Sequence, residues 1–133
     1  MELAWGDHCF VCGTGNAGGL RLRFQVDPEH RTIETCWTPP ATYQGYEGVL
    51  HGGITSTLLD ECVGKLAVEL GLPAMTAALE VRFLRPVPVE HPLTARGKLT
   101  EVGRRVILGE AEILLEDQTL AARATAKLLR SPT

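Results

Sequence analysis

The segment Gly48-Val49-Leu50-His51-Gly52-Gly53 runs straight into a helical pattern. Two glycines at a helix start let a ligand approach the backbone. The unpaired first-turn N–H groups and the positive end of the helix dipole favour an oxygen bearing negative charge. The chemistry that fits is an oxyanion hole built on the Gly53 amide with Gly52 beside it; the plain alternative is that Gly52-Gly53 permits a tight loop-to-helix turn. His51 reads as a residue that orients this turn by hydrogen-bonding backbone, ahead of one that moves a proton itself.

Two adjacent carboxylates follow on the helix, and successive helical residues sit about 100° apart, so Asp60 and Glu61 point to different places. Glu61, Lys65 and Glu69 fall at i, i+4 and i+8, a stripe of alternating sign that makes Glu61 a solvated ion-pair partner. Asp60 has Ser56 and Thr57 one turn before it and Val63 and Gly64 one turn after, so no base on its own helix compensates it. A carboxylate on the edge of an apolar arc, with small neighbours and room for substrate or water, has the setting of a general base or nucleophile. The alternative is an Asp paired with an Arg from a strand or another subunit. No Ser or Cys stands in a GxSxG elbow, which disfavours a serine-hydrolase mechanism.

His8-Cys9-Phe10-Val11-Cys12-Gly13 contains one CxxC, half of a tetrahedral thiolate site. A second CxxC or HxxxH is absent, and Cys36 or His8 would have to complete the shell, so a tight turn is the simpler reading and no metal is assigned. Cys36, beside Trp37 in a strand-like run, and Cys62, in the helical run, read as small buried hydrophobes.

These residues need elements to hold them. The alternation of Leu20-Arg21-Leu22-Arg23-Phe24-Gln25-Val26 predicts a half-buried strand over 20–26, and 32–38 a second after an Asp27-Pro28 turn. A loop rich in Pro and Gly leads to His51. From 53 to 70 the pattern turns helical, with Leu59, Cys62, Val63, Leu66, Ala67 and Leu70 on one arc and Gly71 and Pro73 ending it. Four more strands are predicted over 76–85, 93–102, 104–116 and 119–129. Short turns make consecutive strands antiparallel, and one helix facing many amphipathic strands must bury itself on their apolar face. The reading is an α+β fold in the order β-β-α-β-β-β-β, one domain over 1–133. Ile54 and Leu58 share a helix angle with Glu61 and Lys65, and long strand edges need covering, so a homodimer or larger oligomer is expected.

With 13 Lys+Arg against 16 Asp+Glu the chain carries a formal charge of −3. That balance supplies no basic footprint for nucleic acid or an anionic membrane. No run reaches the roughly 18 apolar residues of a membrane helix, and the first residues lack a signal-peptide pattern. A soluble, cytoplasmic protein with reduced thiols is expected.

His51-Gly52-Gly53, a helix with Asp60 nine positions after the histidine, then Thr76 and Phe83-Leu84-Arg85-Pro86, resembles the hotdog-fold acyl-CoA thioesterases of the phenylacetyl-CoA thioesterase type. Cys9-Phe10-Val11-Cys12-Gly13 with Gly19-Leu20 resembles a subgroup bearing an N-terminal CxxCG pattern. The resemblance implies an antiparallel sheet wrapped around one long helix, with sites at the interface of a homodimer or of a tetramer built as a dimer of dimers. It implies hydrolysis of an acyl-CoA thioester without a cofactor: Asp60 as base or nucleophile, the Gly53 amide polarising the carbonyl, His51 shaping the turn and Thr76 placing water. Where some relatives carry Asn six positions before the histidine this chain has Gly45, with Gln44 beside it as the candidate replacement. The CoA phosphates need local positive charge, for which Arg82, Arg85, Arg104 and Arg105 are candidates. The alternative function is a hotdog module that binds acyl-CoA or a related ligand without turnover.

Overall fold

The structure, a computed structural model, describes residues 3–131; residues 1–2 and 132–133, the ends of the expected domain, lie outside the described residues. In chain order it contains β1 (Gln25–Asp27), β2 (Thr32–Trp37), a 3-10 turn (Ala41–Tyr43), α1 (Gly52–Glu69), β3 (Ala74–Phe83), β4 (Leu93–Val102), β5 (Val106–Leu114) and β6 (Leu120–Arg130). The six strands form one antiparallel sheet in the order β1-β2-β4-β5-β6-β3, wrapped around α1. This is the expected β-β-α-β-β-β-β hotdog arrangement.

The helix ends are set by local chemistry. His51 caps the start, and Gly71 at φ 76° closes the other end. There the Leu72 N–H reaches the Ala67 carbonyl and the Gly71 N–H the Val68 carbonyl, the paired bonds that only a left-handed residue after the helix allows. Leu58, Leu59, Cys62, Val63, Leu66 and Ala67 are fully buried against the sheet. The sheet meets them with Leu93, Ala95, Gly97 and Leu99 of β4 and with Ala122, Ala124, Ala126 and Leu128 of β6. Two glycines seat the helix. A Cβ on Gly97 would lie 3.0 Å from the Cys62 Cβ, and one on Gly109 would lie 2.5 Å from Val63 Cγ1.

Three expectations are corrected. The run 20–26 keeps its alternation, with Leu22 buried and Arg21 and Arg23 exposed, yet only Gln25–Asp27 joins the sheet. The Leu20 and Leu22 N–H groups instead bond the carbonyls of Phe10 and Val11 at 2.8 Å, and Arg21 at φ 53° breaks the extended path. Cys36 is exposed, because β2 turns Ile33 and Thr35 inward and so sends the next residue out. Glu61 is buried, at 7% exposure. The chain's own N-terminal segment covers that helix face: Cys9 lies against Glu61, and the Trp5 ring stands 5.9 Å from the Lys65 ammonium. The mixed apolar and charged face therefore needs no second copy to explain it. β3, in contrast, is a long edge strand with Met75 and Phe83 exposed and Leu84 just beyond it also exposed.

Candidate functional site

The site begins at the loop before α1. The Gln44 side-chain oxygen accepts the Gly48 N–H at 2.9 Å, bracing a turn in which Gly48 sits at φ 81°, a conformation that favours glycine. The His51 N–H donates to the Tyr43 carbonyl at 2.8 Å. Gly45 packs against the imidazole, where an added Cβ would stand 3.4 Å from His51 Cδ2. The Gln44 side-chain oxygen is thus taken by the loop.

His51 has the expected orienting role: its Nδ1 accepts the Gly53 N–H at 2.8 Å, while its carbonyl accepts the N–H groups of Ile54 and Thr55. An acceptor at Nδ1 requires the neutral ring with its proton on Nε2. The Gly53 amide is therefore engaged by the side chain two residues before it. The Gly52 N–H has no acceptor among the described residues and is the open donor of the first turn. A groove of about 670 Å³ lies over this turn, walled by Tyr46, His51, Gly52, Phe83 and Arg85. Tyr46 is 89% exposed and Phe83 58% exposed, so the wall is aromatic and open on one side.

Asp60 follows on α1 in a half-buried position. The Thr76 hydroxyl donates to Asp60 Oδ1 at 2.7 Å, and Asp60 forms no ion pair among the described residues. Thr76 reaches the helix because β3 shifts register against β6 between Thr76 and Ala78; a bulge re-aims the side chains on either side of it. Asp60 and Gly53 lie seven residues apart, nearly on one helix face, but about 10 Å apart along the axis at 1.5 Å per residue.

The arginines divide. Arg85 lines the groove beside Gly52. Arg82 faces the outer side of the sheet, 3.5 Å from Glu80, in a larger hollow of about 810 Å³ that also holds Arg96, Lys98, Arg123 and several glutamates. Arg104 and Arg105 are exposed at the β4–β5 hairpin tip. The Arg105 carbonyl bonds the Arg130 N–H at the far end of β6, while the Arg85 N–H bonds the Ala121 carbonyl at its near end. Within one chain the hairpin tip is therefore roughly 30 Å from Arg85, at about 3.3 Å per strand residue.

On the adjoining helix face, the Cys9 thiol donates to the Glu61 carboxylate at 3.5 and 3.6 Å. One donor atom from each of Cys9, Cys12 and Glu61 lies within 4.8 Å of the others. Burial pushes the Glu61 carboxyl above the usual range, with Asp60 adding to the effect and the two thiols and Lys65 opposing it. Burial, the Glu61 carboxylate and Cys9 push the Cys12 thiol up as well. The Cys62 thiol, buried under the sheet, is pushed up to about 12 and is inert. Neither Cys36 nor His8 joins this cluster. Glu61 stands with the two thiols instead, on the helix angle it shares with Leu58 and Ile54.

The comparisons with known proteins bear on the same residues. Bovine acyl-coenzyme A thioesterase THEM4 is 31% identical over 109 residues, covering 80% of this chain and 44% of that protein. The chain thus spans under half the length of this curated relative. A crystal structure of a thioesterase superfamily protein superposes with a TM-score of 0.85 at 30% identity, over 92% of this chain and 63% of that one. A Streptococcus mutans protein bound to acetyl CoA shares the fold, with a TM-score of 0.78 at 18% identity over 84% of this chain and 90% of that one. The thioesterase superfamily model matches residues 47–122, a stretch that takes in His51, Gly52, Gly53, Asp60 and Thr76. On that match, with the sheet wrapped around α1, the chain belongs to the thioesterase superfamily.

Proposed function

We propose that the chain hydrolyses an acyl-CoA thioester to the free acid and CoA, in a site shared by two copies. The observation that carries this reading is the Thr76–Asp60 pair: a carboxylate without a counter-cation, one oxygen held by a hydroxyl at 2.7 Å, on the helix whose first amide is open. The name of the THEM4 relatives and the acetyl CoA bound to the Streptococcus mutans protein describe those proteins and support the substrate class.

Thr76 occupies Oδ1 and leaves Oδ2 to accept a proton from water or to attack the carbonyl itself. In the first route water adds to the carbonyl carbon, the C–S bond breaks, and the proton held by Asp60 passes to the departing CoA thiolate. The carbonyl oxygen gains charge in that step and meets the helix start, where the Gly52 N–H is open and the Gly53 N–H exchanges His51 Nδ1 for the oxyanion. Reacting atoms must approach to about 3–3.5 Å, far less than the separation of Gly53 and Asp60 along one helix. Asp60 of one copy therefore works on a carbonyl polarised by the helix start of the other. β3 is the edge that suits such pairing, through Met75, Phe83 and Leu84. Arg85 is the arginine best set to meet a CoA phosphate near Gly52. The four cysteines are free, which fits a cytoplasmic setting. Among the described residues no helix is long and apolar enough to cross a membrane.

Two outcomes are expected. Thr76→Val should lower kcat about tenfold with KM little changed, because one orienting hydrogen bond of about 1.4 kcal/mol is lost from the reacting geometry; steady-state assay of CoA release with a thiol reagent checks it. Phe83→Asp at the exposed edge should halve the mass seen by light scattering and remove CoA release, while circular dichroism remains that of the wild type. The test of the function is a panel of acyl-CoA thioesters. Release of CoA at the background rate across the panel, with binding retained, would replace the hydrolase by a ligand-binding module.

A further inference from the structure

We infer that Cys9, Cys12 and Glu61 form a divalent metal site that clamps the N-terminal segment onto α1 beside Asp60. Three observations meet here. The donor set is preorganised: Cys9 and Cys12 stand on a turn fixed by the Gly13 N–H to the Cys9 carbonyl at 2.9 Å, and tied to the following chain by the Leu20 and Leu22 amides at 2.8 Å. Gly13 is required at that turn, since a Cβ there would fall 2.4 Å from the Cys9 nitrogen. The sulfur is also served as a thiolate would be, with the Val11 N–H aimed at Cys9 Sγ at 3.4 Å.

The second observation is the buried carboxylate. Glu61, 7% exposed, forms no ion pair among the described residues; its neighbour Lys65 is spent on Glu69 at 3.0 Å. Two thiols and a carboxyl gathered without a paired cation make a set that a cation would complete. The third is distance. A tetrahedral zinc ion with Zn–S near 2.3 Å and Zn–O near 2.1 Å separates the two donor atoms by about 3.6 Å. Cys9 Sγ and the two Glu61 oxygens lie 3.5 and 3.6 Å apart. Two thiolates with a carboxylate select a borderline-soft ion such as Zn²⁺ over Mg²⁺ or Ca²⁺. Both cysteines are half-buried, which leaves the fourth position to water. The ion's role is to fix the N-terminal segment over α1, apart from the thioester chemistry.

The test is titration of the reduced, chelator-treated full chain with Zn²⁺ and with Co²⁺. One ion per chain is expected, with an intense thiolate-to-cobalt absorption and a thermal midpoint that rises with free Zn²⁺. Cys9→Ser, Cys12→Ser and Glu61→Gln should each weaken Zn²⁺ binding at least tenfold with wild-type circular dichroism, and Cys36→Ser should leave it unchanged. Glu61→Gln keeps the side-chain shape and so guards against a variant that fails to fold. Zn²⁺ binding no tighter in the wild type than in the Cys9→Ser/Cys12→Ser double variant would overturn the inference. So would a cobalt complex without the thiolate absorption, or a Cys9–Cys12 disulfide that persists in reductant with Zn²⁺ present.

Discussion

Asp60→Asn is expected to slow CoA release from a saturating acyl-CoA by 10²-fold or more, the scale of losing a general base or nucleophile. The substitution keeps the side-chain shape and lets the Thr76 hydroxyl go on donating to the remaining oxygen, so α1 and β3 stay in place. On the proposed mechanism, what is lost is the group that takes the proton or attacks. KM should change little, because in the proposed mechanism the carboxylate acts on the carbonyl in the transition state and contributes little to holding the CoA. A structural role would show otherwise: Asp60→Asn would then lower the thermal midpoint and leave turnover per folded molecule intact. Measured side by side, kcat and the unfolding transition separate the two roles.

Gly109→Val is the substitution expected to cost most in stability, about 3 kcal/mol or more through overpacking. Its first carbon alone would stand 2.5 Å from Val63 Cγ1 and 3.1 Å from the Lys98 carbonyl oxygen. Val63 is fully buried, so the side chain has nowhere to withdraw and the helix must lift from the sheet. A fall in thermal midpoint of roughly 10 °C is the expected reading by calorimetry. The same lift would move Asp60, one turn earlier on α1, away from Thr76, so kcat should fall together with stability. Gly48→Ala, in the exposed loop, would act through its positive φ alone and cost far less.

Much of this architecture was legible before the structure. The change from a period of two to a period of 3.6 at Gly53 locates α1 within one residue, and β4 falls on 93–102 as read, because both faces of that strand alternate cleanly. The misreadings have physical causes. Alternation over 20–26 reports which side chains are buried, and it does so correctly for Leu22 and Arg23; it does not report where the backbone bonds go, and those bonds go to Phe10 and Val11. Residue type alone argues for Cys36 inside, while the two-residue period running from Ile33 through Thr35 sends it outward.

The site was legible in its parts and less so in its joins. Asp60, His51, Gly52 and Gly53 could be singled out from helix geometry and loop glycines. The hydrogen bond from Thr76 depends on a strand bulge that no local pattern announces. That His51 would hold the glycine turn through backbone was legible; that it takes the Gly53 amide itself is decided by a rotamer. The charge stripe of α1 points to a solvated Glu61. The segment that buries it lies 52 residues earlier in the chain, beyond the reach of any periodicity argument.

Whether Asp60 of one copy serves a helix start in another can be measured directly. Gly52→Pro removes the open amide at a helix position where proline is well tolerated, and His51 at φ −58° and ψ 133° already has the backbone that precedes proline. Each of Gly52→Pro and Asp60→Asn alone should be nearly inactive. When the two variants are coexpressed under separate tags and the mixed dimer is isolated, one of its two sites carries both lesions and the other carries neither. The mixed dimer should regain about half the wild-type rate of CoA release per dimer. A mixed dimer no more active than the two parent variants would contradict the shared site and return Asp60 and Gly52 to the same chain.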